Sequence, residues 1–347
     1  MKVAIITDQH FGARKNSKLF HDYFLKFYDE VFFPKLIEDG ITTVVDMGDT
    51  FDSRKGIDFA ALAWAKDNYY DRLKKLGVTV HTIVGNHTAY YKNTNEVNAV
   101  DLLLREYENV KVYSEATETK LDNLNVLFIP WINEENTSST FQTIKTTSCL
   151  CAMGHLELSG FPAYRGHTME EGVDRKLFKK FTHVFSGHYH TRSTDGKIFY
   201  LGNPYEIYAN DIGDVRGFHI FDTDTLELTP VNNPFKMYEV IEYEDNNHQT
   251  FDTRSLEGKI VKLIVRKKTD AKKYEKFVDK LIASNISELK LVESFVEAKT
   301  ELQDYDPESE DTVSILSKYI DDSEASINKP EIKKIIHQVY KEACELV

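Results

Sequence analysis

The residues with the most evident chemistry are Asp8, His10, Asp49, Asn86, His87, His155, His188 and His190. They close five short apolar runs: "VAIITDQH", "VVDMGD", "HTIVGNH", "CLCAMGH" and "HVFSGHYH". Carboxylates and neutral imidazoles gathered at one edge of a fold cost free energy unless a cation sits among them. The i, i+2 spacing of Asp8 and His10 puts both on one face if strand geometry continues, and His188 and His190 repeat it. Gly48, ahead of Asp49, lets the backbone turn tightly there. This donor set holds oxygen and imidazole ligands and no thiolate. It suits Mn²⁺, Fe²⁺, Zn²⁺ or, less well, Mg²⁺.

These side chains need elements to position them. The apolar runs are rich in Val, Ile and Phe and read as buried strands. Helical periodicity falls between several of them. Leu19, Tyr23, Phe24, Phe27 and Val31 recur at spacings of three and four, with a stop at Gly40. Stretches 58–76 and 97–107 also read as helices. Alternating strands and helices make an α/β sheet with helices on both faces, whose function gathers at the carboxyl ends of the strands. Past residue 196 the texture changes. "KIFYLGN", "GFHIFD" and "KMYEVIEYE" read as successive antiparallel strands. A strand over 259–267, a helix over 270–284 and a strand over 288–296 complete a small α+β domain at 236–300. Residues 301–328 hold nine acidic residues and one lysine, the composition of a solvated linker. The stretch 329–347 is an amphipathic helix with Pro330 in its first turn and Ile332, Ile335, Ile336, Val339, Tyr340, Ala343 and Leu346 on one stripe.

Composition sets limits. A chain of 347 residues, 41% hydrophobic, can build one large domain and a smaller one. Its apolar runs are too short to cross a bilayer, and its N-terminus does not read as a signal peptide. Three cysteines point to a reducing compartment, so a cytoplasmic location is expected. Cys149 and Cys151 read as strand packing. The net charge of −13 argues against a general nucleic-acid coat protein. Basic residues nevertheless follow the ligand loops: Arg14, Lys15, Arg54, Lys55, Lys92, Arg165 and Arg192. They are either solvated surface charge or a cationic collar for DNA phosphates. "FPAYRGH" (161–167) reads as a loop, packed on the surface or offering aromatics to bases. No G-x-x-x-x-G-K-[ST] loop occurs, so any ATP dependence must come from another chain.

The order D-x-H, G-D, G-N-H, G-H, G-H-x-H resembles the calcineurin-like metallophosphoesterases. Within them the chain is similar to the nuclease subunits of SbcCD-type double-strand-break repair complexes, above all those of T-even-type bacteriophages. "GITTVVDMGDTFDSRK", "VTVHTIVGNH", "FIPWINEENT" and "DVRGFHIFDTDT" support this, over about the first 235 residues. The resemblance implies a β-sandwich flanked by helices (1–235), a capping, DNA-recognition domain (236–300), an acidic linker (301–328) and a helix gripping an SbcC-type ABC ATPase with coiled-coil arms (329–347). It implies one metal on Asp8, His10, Asp49 and His190 and a second on Asp49, Asn86, His155 and His188, with Mn²⁺ ahead of Mg²⁺. His87 is then the catalytic residue beside them, and a hydroxide held by the two metals attacks the phosphodiester. The activity implied is duplex exonuclease and single-strand endonuclease, in recombination, replication and repair, with homodimers common among relatives and the host-cell cytoplasm as the site of action for a phage protein. One position departs from the family. Thr88 stands where an acidic residue usually follows G-N-H, which takes a charge away from His87. Two rival readings remain: a phosphodiesterase or phosphatase acting on something other than DNA, and a DNA-tethering scaffold whose chemistry has lapsed.

Overall fold

The computed structural model describes residues 1–245 and 251–292, together with 320, 329, 332, 333 and 335. Among these the strands are β1 (Lys2–Ile6), β2 (Thr43–Asp46), β3 (Thr79–Ile83), β4 (Val110–Tyr113), β5 (Thr117–Leu121), β6 (Leu124–Ile129), β7 (Cys151–His155), β8 (Pro162–Tyr164), β9 (His167–Thr168), β10 (His183–Gly187), β11 (Ser193–Thr194), β12 (Ile198–Tyr200), β13 (Gly217–Asp222), β14 (Leu228–Asn232), β15 (Tyr238–Glu244), β16 (Ile260–Lys267) and β17 (Glu288–Val292). They build two six-stranded sheets, in the orders β14-β13-β1-β2-β3-β4 and β11-β12-β10-β7-β6-β5. The ligand-bearing strands are parallel to their neighbours of this set: β1, β2 and β3 in one sheet, β7 and β10 in the other.

The sheets pack face to face. Val3, Ile5, Val45, Met47 and Ile83 from one meet Val126, Phe128, Cys151, Met153 and Phe185 from the other. The alternate residues of the same strands face outward onto helices. Ala4, Ile6, Val44 and Val80 join an aromatic-rich core with Phe24 and Phe27 of the helix Lys18–Phe27. Leu127, Ile129, Ala152 and Val184 pack with Ile144 of the helix Thr137–Thr146. The architecture is therefore two sheets flanked by helices, where the periodicity alone had called for a single sheet with helices on both faces. A strand covered on both sides reads as an unbroken apolar run whether a helix or another sheet covers it. Cys149 and Cys151 are buried, in the outer and the inter-sheet cores respectively.

The later strands correct the sequence reading further. β12 lies in the second sheet, parallel to β10, while β13 crosses to the first and pairs antiparallel with β1. β15 pairs in parallel with β16, and β16 with β17. Successive strands after residue 196 are thus not an antiparallel run. Among the described residues only β13 and β14 form an antiparallel pair in that way. The three-stranded sheet is covered by the helix Ala271–Ile282 through Tyr274, Phe277 and Leu281. Asp270 caps that helix, accepting from the Lys273 amide at 3.1 Å. Its junction with the large sandwich is polar as well as apolar. The buried Glu206 carboxylate accepts from the Met237 and Tyr238 amides at 2.8 and 2.9 Å. Most of 293–347, including nearly all of the expected linker and end helix, lies outside the described residues; Lys329, Ile332, Lys333 and Ile335 are helical. No described helix is long and apolar enough to cross a membrane.

Candidate metal centre

All five polar clusters sit at the carboxyl ends of β1, β2, β3, β7 and β10, with His155 the last residue of β7. β1, β2, β3 and β10 end before their ligands, so strand geometry does not continue through those. Asp8, His10, Asp49 and His188 have φ of 52°, 48°, 51° and 80°, in the left-handed region that non-glycine residues enter sparingly. Backbone bonds fix this course: the Asp8 amide donates to Gly48 O at 2.9 Å and the His10 amide to Asp49 O at 2.9 Å. The expected shared face of each i, i+2 pair is accordingly not what joins them. His188 faces Asp49 and His155, while His190 faces Asp8 and His10.

Two glycines make the convergence possible. Gly48 has φ +107°, and a Cβ on it would stand 2.6 Å from His155 Nδ1. A Cβ on Gly85 would stand 2.1 Å from Asp49 Oδ1. Side chains at either position would force the loops of β2, β3 and β7 apart.

Among the described residues the donors fall into three sets, each with ligand atoms within 4.8 Å of one another: Asp8, His10 and His190; Asp49, His155 and His188; and His10, Asp52 and His87, which shares His10 with the first. In the second, His155 Nδ1 is 2.9 Å from the Met47 carbonyl, to which it donates. Its Nε2 then faces Asp49 Oδ2 at 3.1 Å and Asn86 Oδ1 at 2.9 Å. His188 Nδ1 lies 3.0 Å from the same Asn86 oxygen. In the first set His10 Nε2 and His190 Nε2 are 3.2 Å apart, and Asp8 Oδ1 is 3.9 Å from His190 Nε2. The seven expected ligands are therefore brought together, with Asp49 in one set and its backbone joined to His10 of the other.

Electrostatics fits a cation here. Burial alone would lower His155, but Asp49 outweighs it and pushes the imidazole up to about 9. Burial would raise Asp49, yet His155 and His87 hold it well below the usual carboxylate range. His188 is held neutral, first by burial and then by His155. With His155 neutral, its Nε2 lone pair would point at a carboxylate and an amide oxygen. A proton or a metal ion must occupy that position, and the donor chemistry is that of a divalent-metal site. Asp46, the last residue of β2 and three places before Asp49, does not belong to it. Burial pushes Asp46 up to about 7, and Thr50 and Gln9 hydrogen-bond it within the fold.

His87, in the third set, lies between the first two. Its amide donates to Asp49 Oδ1 at 2.8 Å, its ring centroid is 4.8 Å from that of His10, and its Nδ1 is 2.6 Å from the Asp52 carbonyl. Thr88 takes no part in orienting that ring. Its hydroxyl accepts from the Gly85 amide at 3.0 Å and lies 3.1 Å from the Gly85 carbonyl, closing the turn. The residue that does orient His87 is Asp52, absent from the expected ligands although it stands three places after Asp49. Its carboxylate Oδ1 is also 3.2 Å from His10 Nδ1, and burial notwithstanding, that contact raises His10. Trp131 was likewise missed. Its ring centroid is 5.2 Å from that of His188.

The basic residues differ among themselves. Lys15, Lys55 and Lys92 are exposed. Arg14 lies 5.9 Å from the ring centroids of both Phe20 and Tyr208, and Arg54 is half-buried. Arg165 donates to Gly213 O at 2.8 Å and pairs with Asp214 at 3.1 Å. Arg192 donates to Leu201 O and Asn232 Oδ1 at 3.1 and 2.7 Å, and burial pushes it down to about 10. The "FPAYRGH" segment contains the pair β8–β9, with Tyr164 stacked on His167.

Comparison with known proteins adds the following. Residues 1–192 match the family model of the calcineurin-like phosphoesterases. A match to exonuclease subunit 1 of Enterobacteria phage T4 has 41% identity over 197 residues, 56% of this chain and 58% of that protein. Among solved structures, a dimetal phosphatase from Danio rerio is 13% identical, covering 63% of this chain and 91% of its own at a TM-score of 0.37. The Pseudomonas putida nuclease MPE is 16% identical, covering 66% and 86% at a TM-score of 0.31.

Proposed function

The chain belongs to the calcineurin-like phosphoesterase family, and from that premise we propose that it is the nuclease subunit of a DNA-processing ATPase–nuclease complex. The observation that carries the chemical half is the meeting of Asp8, His10 and His190 with Asp49, His155 and His188 at one rim. Asp8, His10, Asp49 and His190 would hold one divalent ion, and Asp49, Asn86, His155 and His188 a second. Bound there, a pair of Mn²⁺ or Mg²⁺ ions would supply Lewis acidity to the phosphodiester and acidity to a water.

The protein's own residues do the rest. Asp49 joins the two sets through its carboxylate and its backbone, so that neither moves alone. The Met47 carbonyl and the Asp52 carboxylate fix the ring planes of His155 and His10. His87 donates Nδ1–H to the Asp52 carbonyl, which leaves Nε2 as the nitrogen that exchanges a proton with the departing oxygen. Lys15, Lys55 and Lys92 are exposed cations of the ligand loops and provide the DNA phosphates with positive charge on an acidic protein. The small unit at 236–300 would act as the capping and DNA-recognition domain, 301–328 as a tether, and 329–347 as the helix that holds a coiled-coil ATPase.

The deciding experiment is metal content together with hydrolysis of end-labelled duplex and single-stranded DNA, against p-nitrophenyl phosphate esters. Two ions per chain and turnover of DNA are expected. Turnover of the small esters alone would move the assignment to a phosphatase or a different phosphodiesterase, and no turnover of either to a lapsed scaffold. The identity to the T4 exonuclease subunit supports DNA as substrate and a multi-chain assembly. Deleting 329–347 tests the partner: the ATPase should no longer copurify, with ester hydrolysis spared.

A further inference from the structure

A cavity of about 340 Å³ opens beside the metal centre and is not part of it. Trp131 is common to both: its ring centroid is 5.2 Å from that of His188, and the residue lines the cavity. Phe141, from the helix Thr137–Thr146, supplies a second aromatic wall, and Val173 an aliphatic one. Glu157 and Asp174 also line it, and the Asp174 carboxylate accepts from the Lys176 amide at 2.8 Å.

The walls are held in place. The Trp131 amide donates to Val84 O at 2.8 Å, and its carbonyl accepts from Asn95 Nδ2 and Asn136 Nδ2 at 2.8 and 3.0 Å. Val173 donates from its amide to Glu157 O at 2.8 Å, and a Cβ on Gly172 would meet that same oxygen at 2.7 Å. The cavity thus lies between two stitched loops, one of which leads directly from His155.

We propose that this cavity is a nucleobase subsite, resting on the nuclease reading above. A phosphodiester at the metal centre carries a base within one sugar of its phosphorus, and Trp131, which lines the cavity, has its ring 5.2 Å from that of His188. Flat aromatic walls stack bases with little regard to sequence. A Glu157 or Asp174 carboxylate turned to the base would accept from the exocyclic amines of cytosine, adenine and guanine, which thymine lacks. Acidic groups this close to a phosphate path would be adverse unless they faced the base.

Tryptophan emission tests it, because the chain has two tryptophans and the other, Trp64, packs among Phe11 and His21. With magnesium present, dAMP, dCMP, dTMP and deoxyribose 5-phosphate are titrated into the full chain and into its Trp131→Phe and Phe141→Ala variants. The base-bearing nucleotides should quench the wild type, with dAMP and dCMP binding more tightly than dTMP. Deoxyribose 5-phosphate should not quench. Trp131→Phe should remove the signal, and Phe141→Ala should weaken binding about tenfold, as loss of one stacking face does. Equal quenching by the sugar phosphate, no quenching at all, or an unaltered Phe141→Ala titration overturns the proposal. Thymidylate binding as tightly as dCMP removes the carboxylates' share in it. The titration needs no hydrolysis. A chain that passes it but leaves DNA uncut fails the nuclease reading and keeps the subsite; a chain that cuts DNA without base-dependent quenching loses the subsite alone.

Discussion

The Asp8 and Asp49 donor sets are braced by different means. His155 is fixed by a main-chain carbonyl, Met47 O, and both it and Asp49 are buried. His10 is fixed by a side chain, the Asp52 carboxylate, 23% exposed, and its partner His190 is itself 13% exposed. A carbonyl in the backbone cannot swing away, whereas a partly exposed aspartate can. The difference predicts unequal sites about the shared Asp49: a tight one with Asn86, His155 and His188, and a looser one with Asp8, His10 and His190. Chelation followed by back-titration with Mn²⁺, read by calorimetry, should give two separate steps. A single step of stoichiometry two would break the comparison.

The largest effect is expected where the sets are joined. Asp49→Asn should lower phosphodiester turnover by about a thousandfold or more and disturb both binding steps. Loss of one step with the other intact would remove Asp49 as the link. Next in size is a control outside both sets. His81, in β3, is stacked on Tyr113 and pushed down to about 4, chiefly by burial and then by Lys111. Its folded-state pKa is depressed, so its neutral form carries the stability. That contribution is complete above about pH 6.5 and is lost as pH falls from there toward about 4, amounting to ~3 kcal/mol. The metal-free His81→Gln variant should show a correspondingly shallower acid limb in denaturant unfolding. An unchanged limb would trace acid instability to the metal centre instead.

Asp52→Ala comes third and divides the sets. It should weaken the looser step by about 10- to 100-fold and leave the tighter one alone. Asp52→Asn should recover part of that loss, and equal weakening of both steps would dissolve the distinction. Smallest is Thr88→Ala, which removes the turn bonds to Gly85 and should cost ~1 kcal/mol of stability, with the pH–rate profile in place. A moved profile would mean that Thr88 reaches His87 after all.

How far the sequence could lead depended on what each residue's neighbours do. Asp8, Asp49, Asn86, His155, His188 and His190 were visible because a polar residue ending an apolar strand is unusual by itself. Asp52 was equally visible in "GDTFDSRK" but unassignable, since its part depends on the ring plane of His10, two loops away. Trp131 looked like any aromatic after a strand; only the approach of β6 to β10 across β7 places it beside His188. The strands after residue 196 misled for a simpler reason. Short links suggested neighbours in one sheet, yet β12 lies in the second six-stranded sheet, β13 in the first and β15 in the three-stranded one. For the sandwich, periodicity reported that β1, β2 and β7 are covered on both faces and could say nothing of what covers them.

The left-handed backbone at Asp8, His10, Asp49 and His188 has a thermodynamic corollary. Four such residues together withhold several kcal/mol from the folded state, at roughly 1–3 kcal/mol each. The rim is therefore a loaded spring that the sheets beneath keep cocked, and any ion that settles there is also the catch that holds it.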